Sequence, residues 1–516
     1  MVQVTAAATT NLFARIQSRN ASVASAPCIE TDEGRKLSYG DIFALTGRYG
    51  AALQKLNVGN GDRVAVQIEK SVDGFCLYLA ALRVGAVYVP MNTAYLASEI
   101  EYILRDAAPL VFVCDPAMQE IAGQLAVECG VEQVVTLDQR GHGSLALLAS
   151  KEREYVEPVS MGAEAIAAIV YTSGTTGRPK GAVLTHGNLV LNAEALVRLW
   201  GITEADVLLH ALPMFHAHGL FISSHCMLLS GSCMLFIQKF SPDRIVELLP
   251  RATVMMGVPT FYTRLLNYKG LTAAVTQSIR LFISGSAPLS AETTRAFKER
   301  TGHRLLERYG MTESLVITAL ACSDNRGAGT VGRPVDGMEL RIVDEGQSSL
   351  PCGTIGEIQI RGTSLMKGYW GKPEHQRAEF TSDGWFRTGD LGSVDREGYL
   401  SISGRAKDLI ISGGLNVYPK EVELAIDALP GIRESAVIGV PHGDLGEAVA
   451  AVIVRNDMQL THRQVIHELK SCLAGYKVPK FIHFVDSLPR NAMGKVLKAE
   501  LRASFAAADA TAQQES

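Results

Sequence analysis

Several absences narrow the function of this 516-residue sequence before any motif is found. Its nine cysteines include no Cys-x-x-Cys pair and their number is odd, which excludes a zinc-ribbon spacing and speaks against a closed disulfide framework. They read as reduced thiols of an intracellular chain, and a cytoplasmic location is expected. Neither sign of charge is in excess: 49 Lys plus Arg face 53 Asp plus Glu, a net −4, so no nucleic-acid partner is expected and phosphate recognition has to be local. Two common nucleotide signatures are missing as well. No Gly-Lys-Ser/Thr closes a Walker loop, and no Gly-x-Gly-x-x-Gly follows a first strand. The longest stretch without a formal charge, 207–238 with His counted neutral, is interrupted by Pro213, several His and two Gly, and reads as buried helix and strand, with no membrane span. The first 29 residues lack acids and carry Arg15 and Arg19, a trait of organellar presequences, while Asn11 to Arg15 also reads as an ordinary first helix, the preferred reading.

What is present is ordinary globular material, 47% hydrophobic and 20% charged. Short β-branched runs at 63–68, 110–113 and 133–137 alternate with helical patterns at 71–84 and 98–106, and the rhythm returns at 254–257 and 279–284. Such alternation predicts α/β architecture with largely parallel sheets. From Gly337 the texture changes to closely spaced strands with Gly-rich turns. The reading is a large N-terminal domain over 1–404, with a β-rich subdomain at about 337–404, then a small mobile α+β domain over 405–503 and a frayed tail at 504–516. Between Lys470 and Lys498 six basic residues accompany one acid, which suits either a solvated helical face or a polyphosphate pocket.

The most informative segment is Tyr171-Thr172-Ser173-Gly174-Thr175-Thr176-Gly177-Arg178-Pro179-Lys180-Gly181, preceded by an apolar strand pattern. Small hydroxyl residues and glycines let backbone N–H groups approach phosphate oxygens, and Lys180 adds a cation. The segment resembles the signature loop of the adenylate-forming superfamily of acyl-CoA synthetases, firefly luciferases and peptide-synthetase adenylation domains. Four later stretches resemble that family's motifs in its order: 308–313 (RYGMTE), 385–390 (WFRTGD), 404–408 (GRAKD) and 491–495 (NAMGK). The resemblance covers Asn11 to about Arg502.

It implies a carboxylate attacking the α-phosphorus of ATP, anion against anion, so that positioning and charge neutralisation are the protein's task. By resemblance, ATP would be held by Thr172, Ser173, Gly174, Thr175, Thr176, Gly177 and Lys180, by Gly310 and Thr312, and by Tyr309 stacking on adenine. Asp390 would take the ribose hydroxyls, with Arg405 nearby. Glu313 would hold Mg²⁺, and Lys495 would reach between the acyl carboxylate and the α-phosphate. Lys407 matches the hinge about which the small domain turns, and Gly413, Gly414 and Leu415 would lie on the face that admits coenzyme A. The stretch before Lys495 also resembles sites of lysine acetyltransferases, so an acetyltransferase and deacetylase pair acting there is an expected partner.

The acyl pocket is implied to be bounded by the residue before the stacking aromatic, by Ser284 to Ala287 and by the segment around His216. That first residue is Arg308, where fatty- and aryl-acid relatives carry a small side chain. A buried guanidinium calls for an anion, so the pocket, with Ser284, Ser286 and His216, suits a short dicarboxylate. Pairing of Arg308 with Glu307 or another protein acid would remove that argument. With these residues the chain is most similar to the malonyl-CoA synthetases, which also accept methylmalonate. Alternatives are a monocarboxylate:CoA ligase of the same family, a luciferase-like oxygenase, a peptide-synthetase module and, in another class, a non-catalytic nucleotide or acyl-adenylate binder. Retention of both Lys495 and Glu313 argues against the last.

Overall fold

The computed structural model describes residues 11–172, 179–442, 444–491 and 494–505, with the backbone alone at 375–377. It is mixed α/β, with two large sheets, a four-stranded antiparallel sheet and a five-stranded C-terminal sheet. One large sheet has nine strands, whose centre runs Leu305–Met311, Leu281–Ser284, Val254–Gly257, Val207–His210, Cys233–Phe236 and Pro27–Thr31, all parallel. The other has seven, with Val87–Pro90, Arg63–Gln67, Val111–Cys114 and Gln133–Thr136 parallel and the antiparallel pair Ile166–Thr172 and Lys180–Thr185 beside them.

Local chemistry accounts for these elements. Helix Val72–Val84 starts where Ser71 accepts the Gly74 N–H and ends at Gly85 in the left-handed region, and nearly all of its side chains are buried because both faces are covered. Helix Leu12–Arg19 is capped by Asn11, whose side chain also donates to the carbonyls of Leu82 and Val159, tying the first helix to the interior.

The antiparallel sheet, Met338–Val343, Gly356–Gly362, Phe386–Val394 and Leu400–Arg405, occupies the β-rich stretch. One piece of that stretch goes elsewhere. Gly368–Tyr369 pairs with Lys180–Thr185 and joins the seven-stranded sheet. After Arg405 come the hairpin Ile410–Ser412 and Leu415–Val417, helix Pro419–Asp427, the long pair Ile432–His442 and Gly446–Arg455, helix His462–Cys472 and strand Phe481–Phe484. The 207–238 stretch, expected as buried helix and strand, is two strands around a π-helical turn, His218–Ser223, that runs directly into helix Ser224–Ser230. No helix among the described residues is long and apolar enough to cross a membrane.

Candidate active site

Parallel strands deliver their C-terminal ends to one place, where α/β folds habitually bind ligands. Strand Leu305–Met311 ends in the 308–313 motif, Leu281–Ser284 runs into Ser286, and Val207–His210 leads to His216 and His218. Here lies a cavity of about 710 Å³. Its wall includes Thr172 and Lys180 from the seven-stranded sheet, Arg308, Gly310, Thr312 and Glu313 from the nine-stranded one, Thr388, Gly389 and Arg405 from the antiparallel sheet, and Lys495 from the C-terminal unit. His216 and Ser286 complete the end nearest Arg308.

Arg308 is 5% exposed. Its Nη2 donates to Ser286 Oγ at 3.1 Å, while its Nε is buried with no partner among the described residues. Burial lowers its pKa to about 10, with no carboxylate acting on it, so it stays charged at neutral pH. The pairing with Glu307 considered above is not formed; the two side chains alternate along one strand and leave it on opposite faces. A Cβ on Gly285 would lie 2.3 Å from Arg308 Nε, so glycine is what lets the guanidinium lie against the chain. His216 is pushed down to about 4 by burial and by Arg308, which keeps it neutral. Ser284 is buried at its strand end, its Oγ has no partner among the described residues, and it is not part of the cavity wall.

Asp390 accepts from Tyr309 Oη at 2.5 Å and pairs with Arg405 Nε at 2.7 Å. Burial raises its pKa and Arg405 opposes that. Glu313 is buried, its Oε1 accepting from Tyr369 Oη at 2.9 Å and from Thr172 Oγ1 at 3.5 Å. Burial raises its pKa too. Lys180 is 5% exposed and paired with Glu379 at 2.7 Å. Ser173, Gly174, Thr175, Thr176 and Gly177 lie outside the described residues. Lys495 reaches the cleft on a loop in which Asn491 Oδ1 accepts the Lys495 N–H at 3.0 Å. It keeps contact with solvent, while its surroundings and Arg405 lower its pKa.

Two expected groups stand away from the cavity. Lys407 is exposed on the short turn Ala406–Asp408. Gly413 and Gly414, at φ +59° and +79°, form the two-residue turn of the hairpin in which Ser412 faces Leu415, a geometry that itself demands glycine. Sequence reasoning missed the buried pair Lys70 and His210, joined at 2.8 Å, and the contact of His218 Nδ1 with Ser286 Oγ at 3.2 Å. Neither pair is close in sequence, and no motif marks them.

Comparison with known proteins places this geometry. The AMP-binding enzyme family model matches residues 16–370, and the AMP-binding enzyme C-terminal domain matches residues 421–495. A mitochondrial malonate–CoA ligase of Mus musculus, ACSF3, is 35% identical, covering 90% of this chain and 89% of the relative. A feruloyl-CoA synthase of an Amycolatopsis species is 34% identical, over 92% and 94%. The crystal structure of ATP-bound MatB from Rhodopseudomonas palustris is 49% identical, over 96% of this chain and 99% of that one, with a TM-score of 0.94; the apo form gives 0.86. The arrangement described here, with Lys495 in the cleft, is thus nearer the nucleotide-bound form. The chain belongs to the AMP-binding enzyme family and is an AMP-forming, ATP-dependent acyl-CoA ligase.

Proposed function

We propose that the acid activated is malonate, with methylmalonate as a second substrate, and that it passes through an acyl-adenylate to its CoA thioester. One observation carries the reading: Arg308 is a buried, charged guanidinium in the cavity wall with, among the described residues, an orphan donor and no protein acid acting on it. Isolated buried charge is costly, and a second substrate carboxylate would compensate it through two parallel hydrogen bonds. Relatives alone do not choose the acid, since malonate and feruloyl ligases match almost equally well. A monocarboxylate ligase would need Arg308 tied to a protein acid, and that pair is missing among the described residues.

In this reading Arg308 fixes the distal carboxylate and so aims the other toward the α-phosphorus. Lys495 holds its ammonium between those two anions and stabilises the charge of the transfer, after which pyrophosphate leaves. Thr312 and the 172–180 segment meet the phosphates, Tyr309 the adenine, and Asp390 with Arg405 the ribose. Glu313 suits Mg²⁺. It is a buried carboxylate on the cavity wall with two hydroxyls on one oxygen. Among the described residues there is no three-ligand cluster that would cage a metal without the phosphates. When bound, the ion would neutralise phosphate charge. Lys407 then acts as the pivot that withdraws Lys495 and brings Gly413, Gly414 and Leu415 to the site for coenzyme A, with neutral His216 lining the thiol's approach. A lysine acetyltransferase and deacetylase acting at Lys495, expected from the stretch before it, would find that residue exposed.

Pyrophosphate release measured across C2 to C8 mono- and dicarboxylates tests the assignment. Malonate should lead, and Arg308→Ala should lower its kcat/KM about a hundredfold while butyrate falls far less. Proportional loss of both acids by a variant that still melts cooperatively would sink the malonate reading.

A further inference from the structure

Behind Arg308 runs a hydrogen-bonded chain of side chains, Arg308, Ser286 and His218. A guanidinium only donates, so Ser286 Oγ is the acceptor from Arg308 Nη2 at 3.1 Å. The hydroxyl's own proton is then free for His218 Nδ1, 3.2 Å away. With Ser286 as the donor, His218 is a neutral imidazole that carries its proton on Nε2, an atom buried without a partner among the described residues. Burial, reinforced by Arg308, holds its pKa well below that of ordinary histidine.

The backbone around this chain is held in uncommon conformations. Ser286 sits at φ +73°, in the left-handed region that a residue with a side chain adopts only where its surroundings over-determine it. His218 opens the π-helical turn His218–Ser223, a rare geometry concentrated at functional sites, and its carbonyl accepts from Ser223 Oγ at 2.8 Å. Ser286 and His218 are therefore rigidly mounted, and Arg308 is the one flexible side chain of the three. With Nη2 pinned, the remaining edge of the fork can meet an anion at one depth only.

We propose that Ser286 and His218 are positioning residues that set how far from Lys495 the distal carboxylate is held, so that the site selects a diacid of malonate's length over longer ones. This rests on the malonate reading. Release of Nη2 would let the long arginine stem settle at other depths and would admit succinate.

The test uses the full-length enzyme, with malonate, succinate and propionate as probes of adenylation. In Ser286→Ala and His218→Phe the ratio of kcat/KM for malonate over succinate should fall about tenfold or more, through KM more than through kcat. His218→Gln should recover part of it, since the amide oxygen restores an acceptor. Equal losses on all acids, or an unaltered ratio, would overturn the inference. If both variants fail to melt cooperatively, ¹⁵N shifts of the wild-type imidazole decide: a neutral Nε2–H tautomer for His218 upholds it, and an imidazolium or Nδ1–H tautomer overturns it. A wild type indifferent to malonate overturns the functional reading and this inference with it. A wild type that takes malonate, with variants of unchanged ratio, overturns this inference alone.

Discussion

Lys495 illustrates what one side chain can be asked to do. Its ammonium lies in the same cavity as Glu313 and Arg308, and the Asn491 bond fixes the loop that carries it. Lys495→Ala should slow adenylate formation at least about a hundredfold, because the charge it meets exists only while the anions are being joined. Thioester formation from preformed malonyl-adenylate should be affected little, and rapid-quench timing of the two half-reactions checks the contrast. At this scale the sequence was legible where a residue sits inside a contiguous motif. Arg308, Thr312 and Glu313 lie in one short run and share the cavity wall. It was opaque where a contact joins residues far apart: His218 and Ser286 are 68 positions apart, and Lys70 and His210 are 140 apart. No local pattern records such contacts.

Among the elements, the antiparallel pair Ile166–Thr172 and Lys180–Thr185 flanks the 173–178 segment, and Asp106 is one of the acids that brace it. Asp106 accepts from Tyr171 Oη at 2.6 Å and from Lys372 Nζ at 3.1 Å, and its carbonyl accepts from Trp370 Nε1 at 3.1 Å. Asp106→Ala leaves the Tyr171 hydroxyl and the Lys372 ammonium without that acceptor. The melting temperature should drop by about 2–4 °C, and the KM for ATP should rise more than that for malonate. Most elements could be anticipated because caps and apolar runs are local signals. The helical pattern expected at 71–84 is observed as Val72–Val84, and the strand at 254–257 is unchanged. Sheet membership was not legible. Gly368–Tyr369 follows its β-rich neighbours in sequence yet pairs with Lys180–Thr185, since hydrogen-bond partners are chosen by the packed core and not by the strand's own residues.

For the whole molecule, the relevant quantities are charge and stability. Glu307, on the strand face opposite Arg308, has its pKa raised to about 8 by burial, against the opposing pull of Lys420 from helix Pro419–Asp427. A carboxyl held neutral by the fold imposes no penalty below its ordinary value. The penalty grows as pH climbs through the range up to about 8, because the unfolded chain ionises first. Melting curves of the wild type should therefore lose ground to Glu307→Gln across that interval, and the gap should level off above it; parallel curves at every pH would refute this. The guanidinium of Arg308, with no acid beside it among the described residues, has a further consequence, for handling the protein. An enzyme that encloses a charge without its counterion is least secure when empty, so its shelf life and resistance to proteolysis become properties of the buffer. Malonate at a hundred times its dissociation constant should add about 2.7 kcal/mol, visible as a rise in melting temperature that propionate at equal concentration does not match. Small dianions in a crystallisation or storage solution would thus act as chaperones for this fold, and a screen for heat-protective acids would report the substrate without any turnover being measured.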